Sequence, residues 1–142
     1  MQNRIEKKFR QLIAKRKKAF IAFITAGDPS LAITKKLVLA LESCGVDIIE
    51  LGVPFSDPMA DGAVIQAASQ RALKKGTKLN KILKLVSEIR RESSIPIALM
   101  SYYNPIFHFG IKQFVFRANK SGVDGVIIPD LPPEEAKDLI SK

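Results

Sequence analysis

Four short apolar runs limit the folds that this chain can adopt. Each run is nearly continuous in apolar residues instead of alternating between apolar and polar ones. This pattern is typical of strands that are buried on both faces, as in parallel sheets that are covered by helices. We therefore predict four parallel strands that lie side by side in a curved sheet. The four runs are AFIAFIT (19–25), DIIELGV (47–53), PIALMSY (96–102) and GVIIPD (125–130).

Helical patterns precede the first run and separate the others. After the first run, Asp28 and Pro29 favour the start of a helix and Gly45 favours its end. The longer gap before the third run holds a loop and two helices, near 62–75 and 79–89. The order is a helix followed by four βα units, which implies right-handed crossovers between the strands. The remaining helices are predicted over the first eighteen residues, within 110–122 and from about Pro132.

Two α/β architectures fit this order: an open doubly wound sheet, and part of a (β/α)8 barrel. An open dinucleotide-binding sheet carries a glycine-rich turn after its first strand. Here that turn is TAGDPS (25–30), which has one glycine and one proline. A complete barrel takes ~250 residues, and the chain has 142. Its length therefore corresponds to about half of a barrel.

The positive charge of the chain is concentrated at its start. Residues 1–18 contain eight Lys/Arg and one acidic residue, whereas the rest of the chain contains fifteen and thirteen. In this segment Ile5, Phe9, Leu12 and Ile13 fall on one helical face. We expect an amphipathic helix that covers the amino-terminal end of the sheet and exposes its basic face. Binding of nucleic acid or of a membrane surface is the weaker alternative, because aromatic residues do not alternate with the basic ones.

The single cysteine, Cys44, excludes an internal disulfide and fits a reducing cytoplasm. It lies on the apolar face of the second predicted helix, where we expect it to pack in the core. No run approaches ~18 consecutive apolar residues, so no transmembrane helix is predicted. The basic start also lacks the apolar core of a signal peptide. His108, the only histidine, is predicted at the surface of a loop, and no metal-ligand spacing occurs.

Polar side chains gather after the carboxyl ends of the predicted strands. Parallel strands share that edge, and α/β folds place their chemistry there. Several of these residues have a structural explanation as well: the aspartates can cap helices, and Tyr102 can be a core ring with a solvated hydroxyl. The asymmetry nevertheless predicts a site at this end of the sheet. The residues are Thr25, Asp28, the stretch from Glu50 to Asp61, Tyr102, Asn104 and Asp130.

Glu50 lies inside a predicted strand, beside Ile49 and Leu51, where it has no role as a helix cap. Burial of an unpaired carboxylate costs several kcal/mol. A second carboxylate, Asp61, follows eleven residues later. Two carboxylates in different environments suit acid–base catalysis, since one exchanges protons near neutral pH while the other stays ionised. We therefore predict that Glu50 and Asp61 reach one cavity at the carboxyl end of the sheet.

The motifs resemble, in order and spacing, those of the tryptophan synthase alpha subunit. The resemblance covers the whole chain but only the first half of the family's barrel. It implies a (β/α)8 TIM barrel, of which residues 1–142 form the amino-terminal half of a single domain: four βα units preceded by a helix. The matching stretches are FITAGDPS, DIIELGVPFSDPMADGAVIQ, PIALMSYYNPIF and GVDGVIIPDLPPEEA.

The resemblance implies a carbon–carbon lyase, which cleaves indole-3-glycerol phosphate to indole and glyceraldehyde 3-phosphate by a retro-aldol reaction. Glu50 matches the acid/base that moves protons at the indole ring carbon and at the glycerol side chain. Asp61 matches the aspartate that holds the indole N–H and stabilises the positive charge developing on the ring. The positions that match the lining of the indole pocket are Phe23, Met100, Tyr102 and Ile127.

A partner protein is implied too, the tryptophan synthase beta subunit in an alpha-beta-beta-alpha heterotetramer. The 54–61 loop and the region of Asn104 and Phe107 match the surface that meets it. In the family, the beta subunit carries pyridoxal phosphate and receives the indole. The alpha subunit is expected to need no cofactor and no metal.

One departure from the family pattern concerns the phosphate of the substrate. Barrels commonly build their phosphate site from the loops after strands seven and eight, and residues 1–142 contain neither these nor the family's mobile closing loop. We therefore expect a fragment of a longer chain or a truncated gene product, unstable alone because two strand edges are unpaired. The alternative function is that of a catalytically inactive half-barrel remnant, which acts only as a partner-binding module.

Overall fold

The four predicted strands form one parallel sheet in the computed structural model of the chain, which describes residues 3–141. Each strand is two or three residues shorter than its apolar run, because the runs extend past the paired residues at one or both ends. The sheet order is β1-β2-β3-β4, whereas a doubly wound sheet reverses direction at a switch point. The sequential order therefore matches half of a (β/α)8 barrel. The strands are β1 (Ile21–Thr25), β2 (Ile48–Gly52), β3 (Ile97–Met100) and β4 (Gly125–Ile127).

Seven helices surround this sheet within residues 3–141. The predicted helices near 62–75, 79–89 and 110–122 are confirmed. The segment after β3 adds a short helix that the sequence analysis did not predict, and the last helix begins later than Pro132. The helices are α1 (Arg4–Ala14), α2 (Leu31–Ser43), α3 (Ala63–Lys74), α4 (Leu79–Ile89), α5 (Tyr103–Phe109), α6 (Ile111–Ser121) and α7 (Lys137–Ile140).

The two faces of the sheet have different surroundings. Alternate residues of a strand point to opposite faces, and Ile49, Leu51, Ile97 and Leu99 lie in the core cluster with the apolar faces of α4 and α6. The other face is only partly covered and is called the inner face below. Its residues, defined by the strand register, are Ile21, Phe23, Thr25, Ile48, Glu50, Gly52, Ala98, Met100, Gly125 and Ile127.

Helix α1 docks on the amino-terminal end of the sheet, as predicted. Arg4 Nη1 contacts Asp124 Oδ1 at 2.9 Å and Lys8 Nζ contacts Asp47 Oδ1 at 3.5 Å. The two aspartates directly precede β4 and β2. Leu12 is buried against the body, but Ile13 is 73% exposed. The predicted apolar face was therefore too wide, since Ile13 points away from the body.

Asp124 joins α1, α4 and the sheet through a buried carboxylate. Its Oδ2 accepts hydrogen bonds from Arg90 Nη2 at 2.7 Å and from the Ile97 amide at 2.9 Å. Arg90 also donates to the carbonyls of Gly122 and Ile95. Burial lowers the pKa of Arg90, and the nearby Asp124 carboxylate opposes that change.

The three aspartates that could cap the helices after them do not do so. Ser30, not Asp28, caps α2 by accepting a hydrogen bond from the Ile33 amide. The residue before α3 is Gly62, which makes no side-chain cap, so Asp61 does not serve as one. Asp130 does satisfy a helix N-terminus, but it is that of α5, whose first amide, Tyr103 N, donates to Asp130 Oδ1 at 2.9 Å.

Cys44 and His108 also differ from their predictions. Cys44 is exposed and not packed in the core. It is the residue after the last turn of α2, and its neighbours Ser43 and Gly45 are exposed as well. His108 is exposed, as predicted, but it lies in α5 and not in a loop.

Candidate active site

Glu50 lies at the centre of the inner face. In the strand register it is flanked by Phe23 on β1 and Ala98 on β3. Its chain neighbours Ile49 and Leu51 point into the core and are fully buried, whereas Glu50 is partly exposed. No residue between 3 and 141 gives the Glu50 carboxylate a hydrogen bond or an ion pair. The strand thus holds a carboxylate that is free to act on a ligand of the inner face.

The next register row toward the carboxyl end contains Thr25, Gly52, Met100 and Ile127. Gly52 leaves room for the Phe23 ring, because a Cβ built on Gly52 would come within 2.6 Å of Phe23 Cζ. The ring therefore lies over the backbone of β2, one step from Glu50. Gly52 thus allows the Phe23 ring to lie beside the Glu50 carboxylate.

Met100 and Ile127 provide further apolar surface in the same row. Met100 is partly exposed and Ile127 is 42% exposed. With Phe23 they form an open apolar surface on which Glu50 is the acidic group. Three of the four predicted pocket residues thus share the face that carries Glu50. The fourth, Tyr102, lies beyond the end of β3.

Tyr102 is buried, with 2% of its surface exposed, and it contacts the loop after β2. Its hydroxyl oxygen accepts a hydrogen bond from the Ala60 amide at 2.8 Å. Its ring also packs against Phe55, with the ring centres 5.4 Å apart. Tyr102 therefore supports the loop that ends in Asp61.

Asp61 lies at the end of that loop, directly before Gly62 and α3. Its carbonyl accepts a hydrogen bond from Gln66 Nε2 at 2.8 Å, which ties the loop to the first turn of α3. The Asp61 side chain is partly exposed and has no hydrogen-bond or ion-pair partner in residues 3–141. Like Glu50, it is a carboxylate without a structural role at the carboxyl end of the sheet.

An ion pair at the same end was not predicted from the sequence. Arg71 on α3 donates from Nε to Asp28 Oδ1 at 2.8 Å and from Nη2 to Asp28 Oδ2 at 2.7 Å. The hydrogen bond from Arg71 lowers the pKa of Asp28. Asp28 precedes a proline and a helix, which favours a cap, so no local signal pointed to a partner 43 residues away.

The surface predicted to meet a partner is accessible. Met59, near the end of the 54–61 loop, is 86% exposed, and Phe107 on α5 is 60% exposed. Asn104 is exposed as well. These residues flank the carboxyl end of the sheet.

Within residues 3–141, no group of three or more His, Cys, Asp or Glu side chains is arranged to hold a metal ion. In the same part of the chain, no helix has the length and hydropathy needed to cross a membrane.

A family model, the tryptophan synthase alpha chain, matches residues 9–142. Named relatives agree: the tryptophan synthase alpha chain of Thermoanaerobacter sp. (strain X514) is 55% identical over 140 residues. The chain belongs to this family. The alpha chain of Geotalea uraniireducens is 57% identical over 137 residues. These alignments use 99% and 96% of this chain but 53% and 51% of the relatives, so the chain spans about half the length of the curated relatives it matches.

Solved structures of the family share the fold. The tryptophan synthase subunit alpha of Legionella pneumophila str. Paris superposes with a TM-score of 0.95 at 44% identity, over 98% of this chain and 53% of that one. A chain of the tryptophan synthase complex of Pyrococcus furiosus superposes with a TM-score of 0.82 at 48% identity, over 87% of this chain and 51% of that one. The described residues therefore have the fold of about half of an alpha subunit barrel.

Proposed function

We propose that this chain supplies the catalytic carboxylates of a tryptophan synthase alpha subunit, a lyase that cleaves indole-3-glycerol phosphate to indole and glyceraldehyde 3-phosphate. The observation that carries the proposal is the setting of Glu50. In a member of this family, it is an unpaired carboxylate on the inner face of the sheet, between an aromatic ring and a small residue.

The chemistry needs a group that moves protons at two places. The indole ring carbon that bears the glycerol side chain gains a proton, and the hydroxyl on the adjacent side-chain carbon loses one. The bond between the two carbons then breaks, which leaves its electron pair on the indole and an aldehyde on the departing phosphate ester. In our proposal Glu50 carries these protons, a role for which positioned carboxylates are well suited.

Asp61 acts on the other side of the indole in this proposal. Protonation of the ring carbon places positive charge on the ring nitrogen, and an ionised carboxylate at the N–H stabilises that charge. The free Asp61 side chain at the end of its loop supports this role. The indole itself would lie on the apolar surface of the inner face that Phe23, Met100 and Ile127 form.

The proposal extends to a protein partner, the tryptophan synthase beta subunit in an alpha-beta-beta-alpha assembly. The exposed 54–61 loop, Asn104 and Phe107 lie at the end of the sheet from which indole would leave. Pyridoxal phosphate belongs to that partner in this proposal, and the chain itself uses no cofactor. The single cysteine is compatible with a cytoplasmic location.

One observation favours a second candidate function. The chain spans about half the length of its relatives. If residues 1–142 act without the other half of the barrel, the protein would be a catalytically inactive remnant that binds a partner. In that case the beta subunit would bind the chain, and substitutions of Glu50 and Asp61 would change nothing measurable.

The test uses a complete barrel, made by joining residues 1–142 to the second half of the Thermoanaerobacter relative. We expect this protein to release indole from indole-3-glycerol phosphate. Glu50→Gln and Asp61→Asn should each lower kcat by ~10²–10⁴-fold with little change in KM. The matched controls are Glu92→Gln, on the outer surface, and Asp57→Asn, in the same loop as Asp61. A Glu50→Gln enzyme that keeps at least about a third of its kcat would overturn the proposal.

A further inference from the structure

The loop that carries Asp61 is held in place by side chains of other parts of the chain. It runs from Val53 to Gly62, and Met59 within it is 86% exposed. Its two prolines, Pro54 and Pro58, restrict the backbone but donate no hydrogen bond. A catalytic group needs its position fixed within about 0.5 Å. The contacts that fix this loop therefore matter for the function proposed above.

The first contact lies one residue before Asp61. The Ala60 amide donates to the Tyr102 hydroxyl at 2.8 Å, across 42 residues of sequence. Tyr102 is itself immobilised, because 2% of it is exposed and its ring packs on Phe55 of the same loop. The hydroxyl thus holds the backbone next to Asp61 at the end of β3.

The second contact lies ten residues after Asp61, on α3. Arg71 forms two hydrogen bonds with Asp28, in the loop after β1, at 2.8 and 2.7 Å. A bidentate pair fixes orientation as well as distance. The same loop has Gly27 in close contact with Thr77, since a Cβ on Gly27 would lie 2.1 Å from Thr77 Oγ1. Helix α3 is thus held against the end of β1.

We propose that Tyr102 and Arg71 are positioning residues for Asp61. The Tyr102 hydroxyl fixes the loop before the carboxylate and the Arg71–Asp28 pair fixes the helix after it. Neither acts on the substrate in this role. The proposal rests on the function proposed above, because it matters for catalysis only if Asp61 does.

The first experiment measures the loop directly and does not depend on activity. Hydrogen exchange of the Ala60 amide is followed by NMR in the complete barrel described above and in its Tyr102→Phe variant. Loss of the acceptor should make this amide exchange about three- to tenfold faster. Tyr103→Phe is the matched control, because the neighbouring tyrosine makes no hydroxyl hydrogen bond within residues 3–141, and it should leave the Ala60 rate unchanged. Equal Ala60 exchange rates in the unsubstituted barrel and in Tyr102→Phe would refute the first contact.

The second contact is tested in the same way. Arg71→Gln removes both hydrogen bonds to Asp28 and should speed exchange of the Gln66 amide, which donates to the Gly62 carbonyl at the start of α3, by about two- to fivefold. Arg91→Gln is the control, because Arg91 is exposed and its side chain makes no ion pair within residues 3–141. Unchanged exchange of the Gln66 amide would refute the second contact.

The last experiment asks whether Tyr102 acts through Asp61. In the complete barrel, Tyr102→Phe should lower kcat about three- to tenfold when Asp61 is present, and less than about twofold in the Asp61→Asn background. Equal losses in both backgrounds would overturn the positioning role. If the exchange results hold but the barrel releases no indole at all, the proposed function fails while the two contacts stand.

Discussion

Six carboxylates near the ends of the strands differ in what they contact. Four have partners: Asp28 binds Arg71, Asp47 accepts from the Phe20 amide, Asp124 binds Arg90, and Asp130 accepts from the Tyr103 amide. The other two have no side-chain partner within residues 3–141. Carboxylates without structural partners at the end of a parallel sheet are the ones free to act on a ligand. The two are Glu50 and Asp61.

A prediction at this scale concerns pH and the Asp28–Arg71 pair. The hydrogen bond from Arg71 lowers the pKa of Asp28 in the folded chain, whereas an unfolded aspartate titrates near ~3.9. A lowered folded pKa means that the pair stabilises the fold above the unfolded pKa, and that this stabilisation is lost as pH falls through the folded value. Asp28→Asn should therefore lower the free energy of unfolding at pH 7 and have little effect in strong acid.

The measurement for this prediction is urea denaturation of the complete barrel, with and without the substitution, at a series of pH values. Asp138→Asn, at an exposed position on α7, is the control and should give no pH-dependent difference. A difference between the barrel and Asp28→Asn that grows as pH falls below about 4 would contradict the predicted sign.

At the scale of helices and strands, the sequence predicted the buried elements best. Continuous apolar runs identified all four strands, and the stripe of Ile82, Val86 and Ile89 identified α4, because burial on a regular element leaves a periodic pattern. Helix α5 was missed because it has seven residues and follows a strand without a separating polar stretch. Its first amide is satisfied by Asp130, 27 residues away, which no local pattern reveals.

The sequence drew attention to some residues of the candidate site and not to others. Glu50 was recognisable because it is a charged residue within the otherwise apolar sequence of a predicted strand. The roles of Tyr102 and Arg71 were not recognisable, since both depend on partners distant in sequence. Local pattern therefore identifies the unusual residue, and only the fold shows the contacts that Tyr102 and Arg71 make.

A prediction at the scale of elements concerns α4, which packs against α2 and α6. Ile82 on this helix is fully buried in the core cluster. Ile82→Ala should lower the free energy of unfolding by ~2–5 kcal/mol, because it leaves a cavity between the helix and the sheet. Lys84→Ala on the exposed side of α4 should change it by less than ~0.5 kcal/mol. Equal effects in urea denaturation would contradict the assignment of α4 to the core.

For the whole molecule, the sheet has two outer strands in the described part of the chain, β1 and β4. Exposed apolar side chains lie at both: Ile21 is 46% exposed and Ile127 is 42% exposed. In a closed barrel the edges pair and the inner face is enclosed. The described residues thus hold Glu50 on an inner face that is only partly enclosed.

The final prediction is that a polypeptide of residues 1–142 alone does not cleave indole-3-glycerol phosphate at a useful rate. The carboxylates supply acid–base assistance of about 10²–10⁴-fold, but positioning of the substrate is worth ~7–11 kcal/mol. Barrels commonly hold a substrate phosphate with the loops after strands seven and eight, and binding energy from such a remote group serves orientation at the reacting carbon. Without that contact, turnover should fall as well as affinity.

Mixing the polypeptide with the second half of the Thermoanaerobacter relative should restore indole release, with a rate that rises and saturates as the second half is added. The same mixture made with Glu50→Gln should stay inactive, which separates restored catalysis from contamination. Indole release by residues 1–142 alone, abolished by Glu50→Gln, would show that the half sheet orients the substrate without the phosphate loops. Binding energy at the inner face would then have to supply the positioning that we assign to the other half of the barrel.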